Sequence, residues 1–391
     1  MESHLSTWPY RILGLALLLI GCREQPAPQP TASTGSGLAP CPVGATLHGA
    51  TPPTGTEQWC ELASGQRHGP WRQWRQNGKP DIDGEYRHGR RHGLWIEWSD
   101  AGRKRSEERY DNGLKQGLEQ QWFPDGKQKA RRGWVRGKLE GLERTWNPDG
   151  TRRSEGRYRA GQRVGPWSEW YPGGKPALKA VYDERGQYRR AEEWYPDGKR
   201  KMTWVRAEGQ DKVVRDTIVK WYDNGKQREQ GSLLDGQRDG PWTEWHKNGQ
   251  LKARGSYRRG RQNGSWVEWY ANGKKKRENT YRDGKLAGEA LAWFDSGKQQ
   301  AVATWKAGKL DGRSMQWWSS GKPRKQALWR DGKLHGHALE WYSDGKKKAE
   351  GDYVDGRKHG RWIQRERLGK PRVERWNNGV ELKQSGGPRR P

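Results

Sequence analysis

At 391 residues the chain is long enough for two or three ordinary domains, but only 30% of it is apolar, too little for conventional cores of that size. A net charge of +29 at such polarity is the signature of disorder, yet 26 Trp and 14 Tyr recur here at fixed intervals, as they do not in disordered chains. Composition therefore excludes both a string of globular domains and an unstructured polycation, and leaves an ordered repeat array.

In STWPYRILGLALLLIGC, Arg11 precedes an apolar run from Ile12 to Ile20. The run is too brief for a bilayer-spanning helix of about 20 residues, so residues 1–21 read as a signal sequence. Its ending, Leu19-Ile20-Gly21-Cys22, resembles the lipobox of bacterial lipoproteins. That resemblance implies cleavage before Cys22 and acylation of its sulfur and new amino group; an ordinary secretory signal with an incidental Cys is the alternative. Two or more acyl chains anchor firmly. The mature protein is then expected in the bacterial cell envelope outside the cytoplasm, at the outer membrane or on the periplasmic side.

Residues 22–56 are rich in Pro, Ala, Thr, Ser and Gly and read as an extended tether; Arg23 to Pro40 alone could reach roughly 55 Å. Cys41 and Cys60 are the other cysteines. Export to an oxidising compartment favours a disulfide between them over two free thiols, and neither has ligand-spaced partners for zinc.

From residue 57 to 380 the chain repeats. Glycines of Asn-Gly-Lys or Asp-Gly-Lys type fall at Gly78, Gly102, Gly126, Gly150, Gly174 and Gly198, then resume at Gly225 and run on to Gly369, thirteen in all. The period is 24 residues, with one interval of 27. A second glycine track (Gly89, Gly113, Gly137, Gly161; Gly236 to Gly356) marks another turn per unit, so each unit is two strands and two turns. Asn-Gly and Asp-Gly suit two-residue hairpin loops, and a Gly or Pro every dozen residues or fewer leaves no room for helices. The expected fold is all-β: an elongated single-layer antiparallel meander, roughly 125 Å long before twist at about 4.8 Å per strand. Residues 381–391 form a basic tail.

Two Trp columns run through the array. The second (Trp74, Trp98, Trp122 through Trp269 to Trp341) has frequent apolar neighbours two residues earlier, such as Val267, and is expected to be the buried, stacked face. Trp266 belongs to the first column and points to the opposite face, with Glu268 and Tyr270. A two-residue turn at Asn272-Gly273 would set Trp266 opposite Asn279, Trp71 opposite Gly84, Trp167 opposite Ala180, Trp242 opposite Gly255 and Glu119 opposite Arg132. Large rings over small residues fit aromatic covering of strand glycines. Copies around 186–217 depart: Arg189 stands where the second-track glycine belongs, Ala191 replaces the first Trp, and EGQDKVVRDTIVK carries extra residues. Drift or a bulge is the simpler reading of this departure, a functional insertion the other.

The segments YRHGRRHGLW (Tyr86 to Trp95) and YVDGRKHGRW (Tyr353 to Trp362) resemble the MORN repeat. The longer unit HGPWRQWRQNGK (His68 to Lys79) is similar to the MORN-repeat variant of bacterial proteins called YwqK-type antitoxins, over about residues 65–380. The resemblance implies an elongated, twisted meander used for binding, usually without catalysis. Family members called antitoxins would be cytoplasmic, from which a lipobox departs.

Catalytic chemistry finds no purchase. His68, His92, His335 and His359 share a repeat position that is Gln116, Glu140 or Val164 elsewhere, so His is not required there. His335 and His337 in HGH could take only a stray metal. Nucleophile-elbow and P-loop patterns are missing, and Glu97, Glu169, Glu193, Glu244, Glu268 and Glu340 form a repeated column, solvated or salt-bridging, where a catalytic pair would be unique. No catalytic residue, metal ligand or cofactor is assigned. Lysines after the turn glycine, Lys274 among them, would line one sheet edge, either to block edge pairing or to meet an anionic partner such as phospholipid, lipopolysaccharide or acidic polysaccharide. Export argues against nucleic acid. Trp266, Trp269, Tyr270 and Lys274 are the candidate binding residues for a lipid-anchored scaffold. Glycan stacking on Trp platforms and antitoxin-like inhibition of a protein are the alternatives.

Overall fold

The computed structural model describes residues 38–208, 214–367 and 369–382. The described residues form one sheet of 33 strands, with every pairing antiparallel and each strand bonded to its neighbours along the chain, as in Gly264–Trp269 with Lys275–Arg282. Among the described residues no helix occurs. The sheet starts earlier than the expected boundary at 57: Ala45–Ala50 pairs with Glu57–Leu62, so part of the predicted tether is the first strand. Cys41 and Cys60 are bonded, with Cα atoms 5.6 Å apart, and Cys60 is 1% exposed.

Register follows the sequence count throughout: Trp266 pairs with Asn279, Trp71 with Gly84, Trp167 with Ala180, Trp242 with Gly255 and Glu119 with Arg132. The turn that sets it is not the expected one. At Asn272-Gly273, Tyr270 N donates to Lys274 O and Gly273 N to Tyr270 O, which closes a three-residue loop in which Gly273 takes positive φ and Asn272 does not. A bulge follows, since Glu268 pairs with Arg277 but Trp269 with Lys275. One residue more in the loop and one more in the bulge cancel, so the count survives a wrong turn type. The two-residue loops are at the other glycine track. There Arg282 pairs with Lys285 across Asp283 (φ 48°) and Gly284 (φ 80°), a type I′ turn with both residues left-handed.

The sheet has one well-packed face. The first Trp column supplies it: Trp71, Trp95, Trp167, Trp242, Trp266 and Trp362 are all buried. In the second column only Trp74 and Trp98 are buried and the rest are half-exposed, so the expected assignment of faces is reversed. The cause is what lies under each ring. A first-column ring lies flat on the strand before it, where glycine lets it touch backbone: a Cβ on Gly255 would stand 2.0 Å from Trp266, and one on Gly84 2.4 Å from Trp95. The covering Trp is thus the partner on the strand after the glycine, Trp266 over Gly255 as Trp167 over Gly156 and Trp242 over Gly231, and not the partner on the strand before it, Trp242 for Gly255. A tyrosine edge closes the side (Tyr257 to Trp266, 5.2 Å; Tyr353 to Trp362, 5.0 Å) and a cation the top (Arg163 over Trp167, 3.8 Å; Arg238 over Trp242, 4.1 Å). Each aromatic pair contributes about 0.5–1.5 kcal/mol beyond area burial, each cation a similar amount. Second-column rings sit by the bulged loops, under single flexible side chains such as Lys275 over Trp293 at 5.6 Å.

The irregular copies are built, not frayed. Arg200–Glu208 pairs with Val214–Trp221 over seven consecutive residue pairs without a bulge, and Ile218 fills the first-Trp position. The second turn of the copy before it is a three-residue loop, closed from Asp183 to Gln187 with Gly186 left-handed. The residue out of pattern in the second track is therefore Arg185 beside Gly186. Arg189 instead replaces a third glycine, the bulge residue equivalent to Gly165 (φ 66°) and Gly240 (φ 86°).

Candidate functional site

Repetition places like residues in straight rows at the two ends of the strands, and these rows are the chemistry the molecule presents. Along the edge of three-residue loops, the lysine after each turn glycine reaches the next repeat: Lys226 Nζ donates to Asn248 O at 2.6 Å, Lys274 to Ser296 O at 2.6 Å, Lys298 to Ser320 O at 3.1 Å and Lys322 to Asp344 O at 2.6 Å. The residue after the second Trp does the same one layer inward. Tyr222 Oη donates to Trp245 O, Tyr270 Oη to Trp293 O at 2.8 Å and Tyr342 Oη to Arg365 O, with His246 Nε2 2.9 Å from Trp269 O in the same row. Turn asparagines add a third row, Asn248 to Ala271 O and Asn272 to Asp295 O. Where Asp replaces Asn, as at Asp125 and Asp197, the backbone N–H of Lys127 or Lys199 holds the carboxyl below its ordinary range.

The opposite edge is knitted by backbone. Gly260 N donates to Arg238 O, Gly284 N to Gln262 O and Gly308 N to Leu286 O, each about 2.8–2.9 Å. The repeat position of His68 and His335 is a cap for the N–H of the next left-handed residue: His68 Nδ1 accepts from His88 N, Glu140 from Ala160 N, Asp239 from Arg259 N and His335 Nδ1 from Asp355 N, whereas Nδ1 of His92 and His359 makes no such bond. His, Gln, Glu, Asp and Asn interchange here because all accept. Val164 is tolerated because the turn after it, at Asp183–Gln187, is the three-residue kind with no such N–H to cap. The shared acceptor chemistry of these residues is the signal in the sequence that points to this role.

Because backbone closes this edge, its cations are left over. Directly opposite residues flanking the type I′ turns are Arg258 and Arg261, Arg282 and Lys285, Lys306 and Lys309, Arg330 and Lys333, in four successive copies. All eight are exposed. Arg258 meets Asp283 at 3.8 Å; among the described residues no ion pair engages the others. Like charges directly opposite in an antiparallel pair destabilise it. Successive pairs lie two strands apart, roughly 10 Å, close to the Debye length of about 8 Å at physiological salt, so they add to one continuous field.

The four candidate binding residues fare differently. Trp266 is 4% exposed, sealed between Gly255 and Tyr257, and offers no platform to a sugar. Trp269 lies half-buried on the other face. Tyr270 and Lys274 come together as rungs of the loop edge, the Tyr270 hydroxyl and one N–H of the Lys274 ammonium each donated to a carbonyl of the next repeat. Cys22 lies outside the described residues. His337 turns to Asp352 at 3.0 Å, and no cluster of metal-ligating groups occurs among the described residues. The glutamate column forms ion pairs: Glu244 with Arg238 and Lys252, Glu340 with Lys325 and Lys348, and cations hold the Glu340 carboxyl low against the burial that raises it.

Residues 238–259, 262–283 and 334–355 match the family model described as the MORN repeat variant. The array thus contains MORN-variant repeats, and the turns and backbone rungs of those three recur in copies between and before them. No curated protein matches the chain. A solved structure titled "Crystal Structure of TcdB2-TccC3-TEV" aligns with 85% of this chain and 19% of its own, at 10% identity and a TM-score of 0.15, an overlap too poor to carry an argument.

Proposed function

We propose that the chain is a non-catalytic scaffold, anchored to a bacterial envelope membrane by a lipid on Cys22, that binds an anionic surface or polymer along its edge of type I′ turns. The observation that carries this is the row of opposed, exposed cations from Arg258 to Lys333, of which only Arg258 has an ion-pair partner among the described residues. Such pairs cost stability in the free protein, and an anion laid across them removes the cost. Anionic lipid headgroups, lipopolysaccharide phosphates and acidic polysaccharide all supply charges at the required density. Binding is multivalent, since equivalent weak sites recur every repeat.

Retention on phosphatidylglycerol vesicles tests this reading. Affinity should fall at least tenfold between about 0.05 and 0.5 M salt, because exposed charges are screened over that range. Reversing Arg282, Lys285, Lys306 and Lys309 to Glu should remove most binding without lowering the melting temperature. Salt-independent retention, or binding indifferent to the reversal, would discard the cationic edge and favour a protein target of the antitoxin kind. Separately, Cys22→Ser should release the protein from membrane fractions.

A further inference from the structure

The first Trp column lapses for longest after Trp266, in combination with loss of the cation above it. Three successive copies after Trp266 carry Ala290, Ser314 and Ala338 in the first-Trp position, and the capping position, Arg163 or Arg238 elsewhere, becomes Leu286, Leu310 and Leu334. Ring and cation vanish together, in a chain otherwise strongly basic. Two of the lapses are filled from next door. Trp329 replaces the usual tyrosine and donates from its ring nitrogen to Ser314 Oγ at 2.8 Å, and Ala327 and Ala338 are 0% and 4% exposed. The earlier lapse at Glu119 is mended in the same way by Trp134.

At Ala290 the repair is incomplete. Trp305 stands in the repairing position, but Ala290 offers no side-chain acceptor, and Ala290, Ala292, Ala301 and Ala303 stay half-exposed. They floor a depression of about 350 Å³, walled by Tyr281, Leu286, Trp305 and Leu310, with Arg277 and Gln316 on the rim. That volume suits a side chain or small ligand, at the low end of the roughly 300–1,000 Å³ of typical sites.

We propose that this depression receives an aromatic side chain, foremost Trp, from a partner polypeptide. Six of the other twelve copies fill the equivalent space with a Trp of their own and two more with a ring from the next strand, Trp134 or Trp329, so the surrounding wall of tyrosine edge and small-residue floor is already shaped for one. A polypeptide also brings a backbone carbonyl beside the ring, an acceptor for Trp305 in place of the side-chain oxygens that Trp134 finds in Glu119 and Trp329 in Ser314 and that Ala290 lacks. The inference is independent of the cationic edge, which lies at the strand ends.

The test uses the full chain and fluorine NMR of the peptide acetyl-Gly-(5-fluoro-Trp)-Gly-amide. Its signal should broaden and shift on titration with the protein. Asn279→Gly combined with Ala290→Trp rebuilds the Gly255–Trp266 arrangement and should weaken binding at least tenfold, with a melting temperature no lower than wild type. Ala303→Gln, which raises a polar chain from the floor, is the second variant and should weaken binding equally. No shift at millimolar protein, or equal shifts in both folded variants, overturns the site. Binding of N-acetyl-5-fluorotryptophanamide as tight as that of the peptide overturns the polypeptide source in favour of a free aromatic ligand. Sedimentation showing a dimer that both variants dissociate overturns the partner in favour of a second copy.

Discussion

The two long edges of the sheet bear cations at the same 24-residue interval and use them in opposite ways. On the edge of three-residue loops, lysines such as Lys274 and Lys322 are rungs, each donating to a carbonyl of the next repeat. On the edge of type I′ turns, glycine N–H groups make the rungs, and Arg282, Lys285 and their equivalents face solvent in opposed pairs. Turn geometry decides which happens. A three-residue loop leaves outward carbonyls that only a side chain can reach, whereas a type I′ turn brings its own backbone donor to the neighbour. The cations of both edges stay exposed and charged, but on one edge each lysine is also tied to a carbonyl of the next repeat, a difference that composition does not count.

Breaking the comparison is straightforward. Replacing Lys274, Lys298 and Lys322 with Met should cost about 2–4 kcal/mol in total, at about 0.5–1.5 kcal/mol per hydrogen bond, in urea unfolding. Replacing Arg282, Lys306 and Arg330 with Gln should instead stabilise by a few tenths of a kcal/mol at low salt, and by nothing once salt screens the repulsion. Equal losses in both sets would abolish the distinction between the edges. The strip between the edges supplies a reference that ignores salt altogether: Gly255→Ala drives a methyl into Trp266 and should cost about 1–3 kcal/mol at any ionic strength.

Smaller effects sharpen the picture. Tyr270→Phe deletes one inner rung, to Trp293 O, and should cost about 1 kcal/mol, seen as faster amide exchange in Gly288–Trp293. Near the end of the array, Lys347 and Arg365 hold the Glu350 carboxyl down at about 2. A depressed folded value means that the stability it contributes is fully present above its ordinary pKa of 4.5 and is lost as pH falls through about 2. Glu350→Gln should therefore lower the melting temperature at pH 7 and leave it unchanged near pH 2.

Much of this was legible in the chain. The period, the antiparallel meander and the strand register were all countable from glycines, and Trp266 does face Asn279. The turn types were not, because a bulge at Lys276 compensates the longer loop, and a count returns only their sum. The buried face was misassigned for a related reason. Apolar neighbours such as Val267 mark a face as greasy, but burial of a flat ring depends on a glycine eleven residues earlier, across the hairpin. The candidate residues Tyr270 and Lys274 were found as a recurring pair, yet recurrence cannot distinguish a rung from a ligand contact. That needs the distance to Trp293 O and Ser296 O.

The uninterrupted hairpin Arg200–Glu208 with Val214–Trp221 has a mechanical consequence. Among the described residues, backbone rungs on the type I′ edge run to Gly161 and resume at Gly260, while across the same stretch the other edge keeps Tyr171 to Trp194 O, Tyr195 to Trp221 O and Lys199 to Asp223 O. Across that stretch the type I′ edge is tied by side chains, Arg159 to Glu184 and Arg206 Nη1 to Gln187 Oε1 at 2.8 Å. Exposed side-chain ties yield under load before packed ones do, so the tyrosine row is the stiffer rail of the ribbon here and the side facing it the softer.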